Sequence, residues 1–248
     1  MQNRAVEHAE YLLMDEAEDG MWWYRALHAR VLDVLDPDRA SEPVLDAGCG
    51  TGGFLARLRE ARPGTRAVGL EYEPEAAARA RAKAGVQVAV GSVNDVPFAD
   101  AAFGQLVSLD VLCHAAAEPD RALAEFRRVL RPGGRLVVNL PAFQWLYSAH
   151  DIRVHIRRRF TAGGARAVLE QAGFTGVRAR YWNSLLFPLM VVQRKLLARG
   201  PDHQSDVAPP PPWLNGSLHA VTALERGLMA AGLPFPAGGS VLATATRP

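Results

Sequence analysis

From residue 43 to 140, short apolar runs alternate with stretches whose apolar positions recur every three to four residues. The runs 44–46, 67–70, 86–90, 105–109 and 135–140 are short and rich in aliphatic residues, so they read as buried strands. Residues 54–58, 74–83 and 119–130 read as helices, the last ended by Arg131-Pro132-Gly133-Gly134. Farther on, 161–172 reads as another helix, with Thr161 placed to cap its start and Gly173 to close its end. The runs 177–182 and 241–246 read as two more strands. Strands that alternate with helices predict an α/β fold with a parallel, doubly wound sheet, whose ligands meet the carboxyl ends of the strands.

The flanks follow another pattern. Residues 4–36 read as helical with a break near Gly20, and Leu27, Val31, Val34 and Leu35 extend an apolar stripe after Met21-Trp22-Trp23-Tyr24. That aromatic cluster has two readings, packing against the sheet edge or a wall of a substrate chamber. Residues 185–198 form an apolar helix with Arg194, Lys195 and Arg199 at its end; 200–212, rich in proline, reads as an exposed loop; 218–228 is a further amphipathic helix. The helix over 185–198 suits a lid over a substrate chamber, and an apolar helix ending in basic residues also suits a membrane surface. The organisation expected is an N-terminal helical segment (1–40), a sheet core (41–182), a helical cap inserted on the substrate side (183–236) and a final core strand (237–248).

Composition narrows the class. At 248 residues and 49% hydrophobic content the chain can bury one substantial core, and a formal net charge of +2 gives no general case for a nucleic-acid partner. Two cysteines, Cys49 and Cys113, cannot form a disulfide framework and point to a reducing, cytoplasmic setting. The first twenty residues are acidic and mixed, without the apolar core of a signal peptide, and the longest apolar run, 185–192, is interrupted by Pro188 and too short to span a bilayer.

The densest chemical signal is Val44-Leu45-Asp46-Ala47-Gly48-Cys49-Gly50-Thr51-Gly52. An acidic residue ends a strand, and a glycine-rich turn then lets a ligand approach the backbone where a Cβ would clash. Gly48, Gly50 and Gly53 also satisfy a literal G-x-G-x-x-G, and Glu71 stands at the distance of a carboxylate that takes a ribose hydroxyl pair, so a dinucleotide reading competes. Asp46 separates the two readings, because a carboxylate at this place repels a pyrophosphate and attracts an ammonium or a sulfonium.

This run resembles motif I of the class I S-adenosylmethionine (SAM) dependent methyltransferases. The resemblance continues through Gly69-Leu70-Glu71, the segment Gly91-Ser92-Val93-Asn94-Asp95-Val96-Pro97-Phe98, the run Ser108-Leu109-Asp110-Val111-Leu112-Cys113-His114, and the turn Leu130-Arg131-Pro132-Gly133-Gly134. It covers residues 43–140 and implies a Rossmann-like, mostly parallel sheet of seven strands, the last antiparallel. It also implies SAM as cofactor, with S-adenosylhomocysteine (SAH) as product, held by Asp46, Gly48, Gly50, Glu71, Tyr72, Ser92, Val93 and Asp110. Two positions depart from the family pattern. Ser92 stands where many relatives have an aspartate facing the adenine amine, and Cys113 stands where Glu often precedes the histidine.

Methyl transfer needs an acceptor held in line with the donor methyl and, for oxygen or nitrogen, a base for its proton. His114 follows the fourth strand, either as such a group or as one that orients the cofactor. The segment Ser148-Ala149-His150-Asp151-Ile152-Arg153-Val154-His155-Ile156-Arg157-Arg158-Arg159-Phe160 follows the fifth and is similar to an S-x-H-D…H-x-R-R-[YF] segment of a small-molecule methyltransferase subgroup. Three readings stand together here. His150 or His155 acts as a base tuned by Asp151, the arginines bind an anionic acceptor, or the segment is a basic loop with ordinary salt bridges. The spacing of His150, Asp151 and His155 is poor for a metal site on one helical face.

The expectation is therefore methyl transfer from SAM to a small or amphipathic acceptor, a small molecule or a lipid-like one, for which the arginine cluster suits an anionic group, at oxygen before carbon or nitrogen. His150, Asp151, His155 and Arg158 are the acceptor-side catalytic candidates, no metal or nucleic acid is expected, and the cap supplies any peripheral membrane contact. A non-catalytic SAM-binding partner and a nicotinamide oxidoreductase are the alternatives.

Overall fold

The computed structural model describes residue 15, residues 18–194 and residues 210–248, apart from the side chain of His150. Its centre is a seven-stranded sheet in the order β3-β2-β1-β4-β5-β7-β6. The strands are β1 (Val44–Ala47), β2 (Ala67–Glu71), β3 (Gln87–Val90), β4 (Phe103–Leu109), β5 (Leu130–Pro141), β6 (Thr175–Trp182) and β7 (Ser240–Thr246). β1 to β5 pair in parallel, and β7 enters antiparallel between β5 and β6. The order reverses at β1, which lies between β2 and β4, and opens the crevice where such sheets take their ligands.

The two faces are covered by different helices. α1 (Trp22–Val34), α2 (Gly53–Ala61) and α3 (Pro74–Ala84) pack on one face around Leu27, Leu55, Leu58 and Ala80. α4 (Pro119–Val129) and α6 (Ala162–Gln171) pack on the other around Phe126, Leu123 and Leu169. α5 (Ala149–Arg153) is a short turn after β5. Every residue of β1 and β2 is buried, as a strand covered on both faces requires. Thr161 caps α6, its hydroxyl accepting a bond from the Gly164 N–H at 2.9 Å, and Gly173 ends that element at φ +83°.

Sequence and structure differ after α4, and several expectations fall outside the described residues. The turn-like run Arg131-Pro132-Gly133-Gly134 is absorbed into β5, where Leu130 pairs with Phe103 across a register shift. The apolar helix over 185–198 is α7 (Phe187–Val192) among the described residues, and its expected end, with Lys195 and Arg199, lies outside them. Most of the expected 200–212 loop and of the first helical stretch, 1–14 with 16 and 17, also lies outside the described residues.

The segment expected to form one cap divides in two. α7 lies beside the loop after β5, with Phe187 against Phe143 and Trp145 at ring distances of 5.6 and 6.1 Å. α8 (Pro212–Ala230) runs instead along α1, in the same direction. Asn215 bonds Trp22 and Gly20 at one end, and Arg226 meets Asp33 at the other. Between them the buried Arg30 guanidinium pairs with the buried Glu225 carboxylate at 3.1 Å. Glu225 also accepts bonds from the N–H groups of Asn183, Ser184 and Leu185. α8 therefore braces α1 and the end of β6. Of the two readings of the aromatic cluster, the contacts favour packing, since Trp23 lies against Trp182 at 5.8 Å and edge-on to Tyr24 at 5.1 Å.

Candidate active site

The glycine turn after β1 is fixed by β2. The N–H groups of Gly48 and Cys49 both donate to the Leu70 carbonyl, at 2.8 and 3.0 Å. Gly48 has φ +88°, and a Cβ there would strike Val111, so the residue after Asp110 packs directly on the turn. Gly52, at φ +93°, leads into α2, and a Cβ on it would lie 2.7 Å from the Ala80 backbone.

Carboxylates gather beside this turn. Asp46 is 2% exposed, and its Oδ1 is buried without a hydrogen-bond partner. Burial pushes its pKa well above the usual carboxylate range, and the charges of Glu71 and Glu18 push it farther. Glu71 ends β2, and its carboxylate accepts from Gly50 N–H at 2.8 Å and Glu73 N–H at 3.1 Å. Burial still raises its pKa against the lowering effect of those bonds. Glu18 sits over the start of α2, accepting from the Thr51 hydroxyl at 2.6 Å and pairing with Lys83 at 2.6 Å. Burial raises its pKa too, with Lys83 and Thr51 opposing.

Two consequences follow for a ligand. A buried, unpartnered carboxylate oxygen with a second carboxylate near it is stabilised by a cation that also donates hydrogen bonds. The start of α2, where a dinucleotide pyrophosphate would rest on free N–H groups, is already covered by the chain's own Glu18 carboxylate. A Cβ on Gly53 would lie 2.6 Å from its Cδ. The donor set therefore fits an amino acid-bearing sulfonium and opposes a pyrophosphate.

The rest of the expected cofactor wall comes from successive strand ends. Tyr72 follows β2 and is 64% exposed. Ser92 follows β3, where its hydroxyl accepts the Asn94 N–H at 3.1 Å, and Val93 packs on the α4 side of the core. Asp110 follows β4 in a left-handed conformation, φ +54°. Its carboxylate accepts the Asn139 side-chain N–H at 2.9 Å, and its carboxyl is pushed up to about 6 by burial, against the opposing effects of Asn139 and Arg159.

On the acceptor side the sequence candidates separate. The loop after β4 and the segment after β5 meet in a short antiparallel bridge between His114 and Ile156, and the Ala115 N–H donates to the His155 carbonyl at 3.0 Å. His114 and His155 are thus neighbours. Burial lowers the His114 pKa, and His155 lowers it further, so His114 is a neutral imidazole at neutral pH. His155 is exposed, at φ +56°. His150 lies in α5, with its side chain outside the described residues.

Two of the expected catalytic groups make bonds within the protein. Asp151, fully buried, is no partner of a histidine among the described residues. It bonds Arg159 at 2.7 and 2.9 Å, Arg194 at 3.1 Å, and the N–H and hydroxyl of Ser148. Burial alone would raise its pKa, but Arg159 and Arg194 bring it below the usual value. The Arg158 guanidinium donates to the carbonyls of Leu112 and Ala117 and so holds the loop after β4. A planar fork of donors suits both roles, which the repeated arginines alone could not distinguish.

Sequence reasoning missed Arg194, whose tie to Asp151 crosses 43 residues and leaves no local pattern. It also missed Glu18, and an aromatic cluster in which Phe143 stacks on Tyr181 at 5.0 Å and touches Trp145 and Phe187. Phe143 holds φ +58°, an uncommon conformation for a bulky residue, at the end of β5. Among the described residues no group of three His, Cys, Asp or Glu side chains is disposed to hold a metal. None of the described helices is long and apolar enough to cross a membrane.

Strand order, the β1 turn and the acidic crevice define the class I methyltransferase fold. Residues 45–138 match the methyltransferase domain family. The ubiquinone/menaquinone biosynthesis C-methyltransferase of Paracoccus denitrificans is 34% identical over 53% of this chain and 57% of its own length. The demethylmenaquinone methyltransferase of Thermus thermophilus is 38% identical over 51% and 56%. The chain spans about half the length of these curated relatives. Among solved structures, a SAM-dependent methyltransferase from Thermotoga maritima superposes with a TM-score of 0.61 over 99% of this chain and 97% of its own, at 19% identity. Residues 45–138 thus match a methyltransferase domain, the fold is that of the class I SAM-dependent methyltransferases, and SAM is the cofactor that this likeness implies.

Proposed function

We propose that the protein transfers the methyl group of SAM to a small, amphipathic acceptor. The observation that carries this reading is the buried, unpartnered Oδ1 of Asp46 beside Glu71. Asp46 takes the cofactor's ammonium, Gly48 and Gly50 let its amino acid part lie on the backbone, and Glu71 takes the ribose hydroxyls. Tyr72, Ser92, Val93 and Asp110 line the remaining wall. The bound cofactor supplies an electrophilic methyl on sulfur, and the chain's own residues bind, orient and exclude water.

The acceptor's apolar body fits the rings of Phe143, Trp145, Tyr181 and Phe187, which stand where β5 ends and α7 begins. Oxygen is the favoured methylated atom, because His114, His150 and His155 lie on the two loops that meet beside the cofactor wall and can take a hydroxyl proton. With Arg158 and Arg159 bonded inside the protein, Arg157, exposed on the same segment, is a cation that favours an anionic head group. In this division residues 41–182 and 237–248 form the cofactor core, the described part of 1–40 braces it, and the described part of 183–236 supplies α7 to the acceptor side and α8 to the brace.

Calorimetric titration with SAH and with NADH, followed by methyl-transfer assays on anionic and neutral amphiphiles, tests the proposal. Binding of SAH, no binding of NADH and faster turnover of anionic amphiphiles are expected. NADH binding without SAH binding would overturn it; SAH binding with no transfer to any amphiphile would favour a non-catalytic partner; equal rates on charged and neutral acceptors would remove the anionic preference.

A further inference from the structure

Asp110 is gripped twice by one residue. Asn139, buried in β5, accepts the Asp110 N–H on its carbonyl at 2.9 Å and donates its side-chain amide N–H to the Asp110 carboxylate at 2.9 Å. The same amide is held from behind: the Trp182 indole N–H donates to Asn139 Oδ1 at 2.8 Å. An indole nitrogen only donates and an ionised carboxylate only accepts, so the two neighbours leave one orientation for the amide between them. Trp182 is itself wedged, with Trp23 against its ring and the Arg30 guanidinium 4.8 Å over its face. Arg30 is anchored to Glu225. A buried chain of polar contacts thus runs from α8 through β6 and β5 to the first residue after β4, which lies against the glycine turn through Val111.

We propose that Asn139 and Trp182 are positioning residues for Asp110, with Trp182 turning the Asn139 amide so that its N–H groups aim the Asp110 carboxylate into the cofactor crevice. The inference rests on the methyltransferase reading for the identity of the ligand, but the aim of the carboxylate does not depend on it. Asp110 belongs to no helix or regular strand pairing at its own position, and its left-handed backbone would not by itself fix a side chain. Other groups acting on this carboxylate are Arg159 from the segment after β5, with Asp151 behind it, and the Cys113 thiol of its own loop, kept protonated by burial and by Asp110. Arg159 favours the ionised form and the amide N–H adds to that, while burial opposes both.

Carboxyl-labelled carbon NMR reads the Asp110 titration directly, and calorimetry with SAH between pH 5 and 8 reads the crevice. Wild-type protein is expected to titrate Asp110 near 6 and to lose SAH affinity below that pH. Asn139→Ala removes the donor and should raise the midpoint by about one unit, with about twofold weaker SAH binding at pH 7 that widens toward about tenfold as the pH falls to 5. Trp182→Phe keeps the ring but frees the amide to rotate, and should move the midpoint the same way by less. A thermal melt confirms that each variant is folded; should Asn139→Ala fail to fold, Trp182→Phe decides alone. Asp110 titrating as in wild type in every folded variant, with unchanged SAH affinity, would overturn the proposal. Absence of SAM and SAH binding by the wild type would instead remove the methyltransferase reading, and the Asp110 titration would still judge the positioning.

Discussion

Replacing Asp46 by asparagine should move stability and affinity in opposite directions. In the free protein its carboxylate is buried, has an oxygen without a partner, and feels the charges of Glu71 and Glu18. A buried polar group left unsatisfied costs about 1–3 kcal/mol and a charged one more; the amide keeps the first cost and removes the charge, so it should stabilise the cofactor-free protein by roughly the excess, on the order of 1–2 kcal/mol. For a chain of this size each kcal/mol is worth roughly 2–4 °C in Tm, which gives a rise on the order of 5 °C. The pH sign follows. The folded-state pKa lies above the unfolded one, so the native protein holds the extra proton between the two values and loses stability as pH rises through them. The advantage of Asp46→Asn therefore grows as pH rises through the folded-state pKa and shrinks as acid protonates the wild-type residue. Binding runs the other way, because a hydrogen bond to a charged group is worth about 1.5–3 kcal/mol and the amide meets an ammonium with a partial charge only. SAH affinity should fall about ten- to a hundredfold. Melting curves from pH 5 to 8, with and without SAH, together with calorimetry, measure both. A variant that melts lower when free and binds SAH as tightly as wild type would refute the electrostatic account of this crevice.

Three further outcomes follow from the packing. Glu225→Ala strands Arg30 and three backbone N–H groups in the interior, and unfolding in urea should show a loss of about 3–5 kcal/mol. Asp151 has its folded pKa below the unfolded value, so its contribution is present above the unfolded pKa and lost as pH falls through the folded one; the stability gap between wild type and Asp151→Asn should be full at pH 7 and narrow only as acid takes the pH below the ordinary carboxylate range, as acid denaturation curves would show. Thr161→Ala removes the α6 cap and should cost about 1 kcal/mol in the same urea assay, with little change in SAH affinity.

The strands, the glycine turn and the helix ends were legible because each is a local pattern: Val44 to Asp46 runs straight into its turn, and Thr161 and Gly173 bracket one helix. Boundaries slipped at Pro132 to Gly134, which lie in the register shift of β5 between Leu130 and Arg135 and bond Arg247 through Gly133 and Gly134 instead of ending the element. The acceptor side was least legible. Which arginine of 157–159 faces inward depends on the path of a loop, and the partner that decides it, Asp151, is shared with Arg194 on a different element. The side on which α8 packs could not be read from its stripe, because an amphipathic helix records that it is covered and not by what.

The placement of β7 has a consequence for assembly. It is synthesised after β6 and α8, yet it sits between β5 and β6 and is the only strand pairing with β6 among the described residues. Until it threads into that slot, α6 and β6 have no ladder to join, so one flank of the sheet stays open while the β1 crevice can already form from earlier sequence. Such late closure over a long sequence separation delays completion of the nascent protein and leaves the β5 margin exposed to mispairing in the interval.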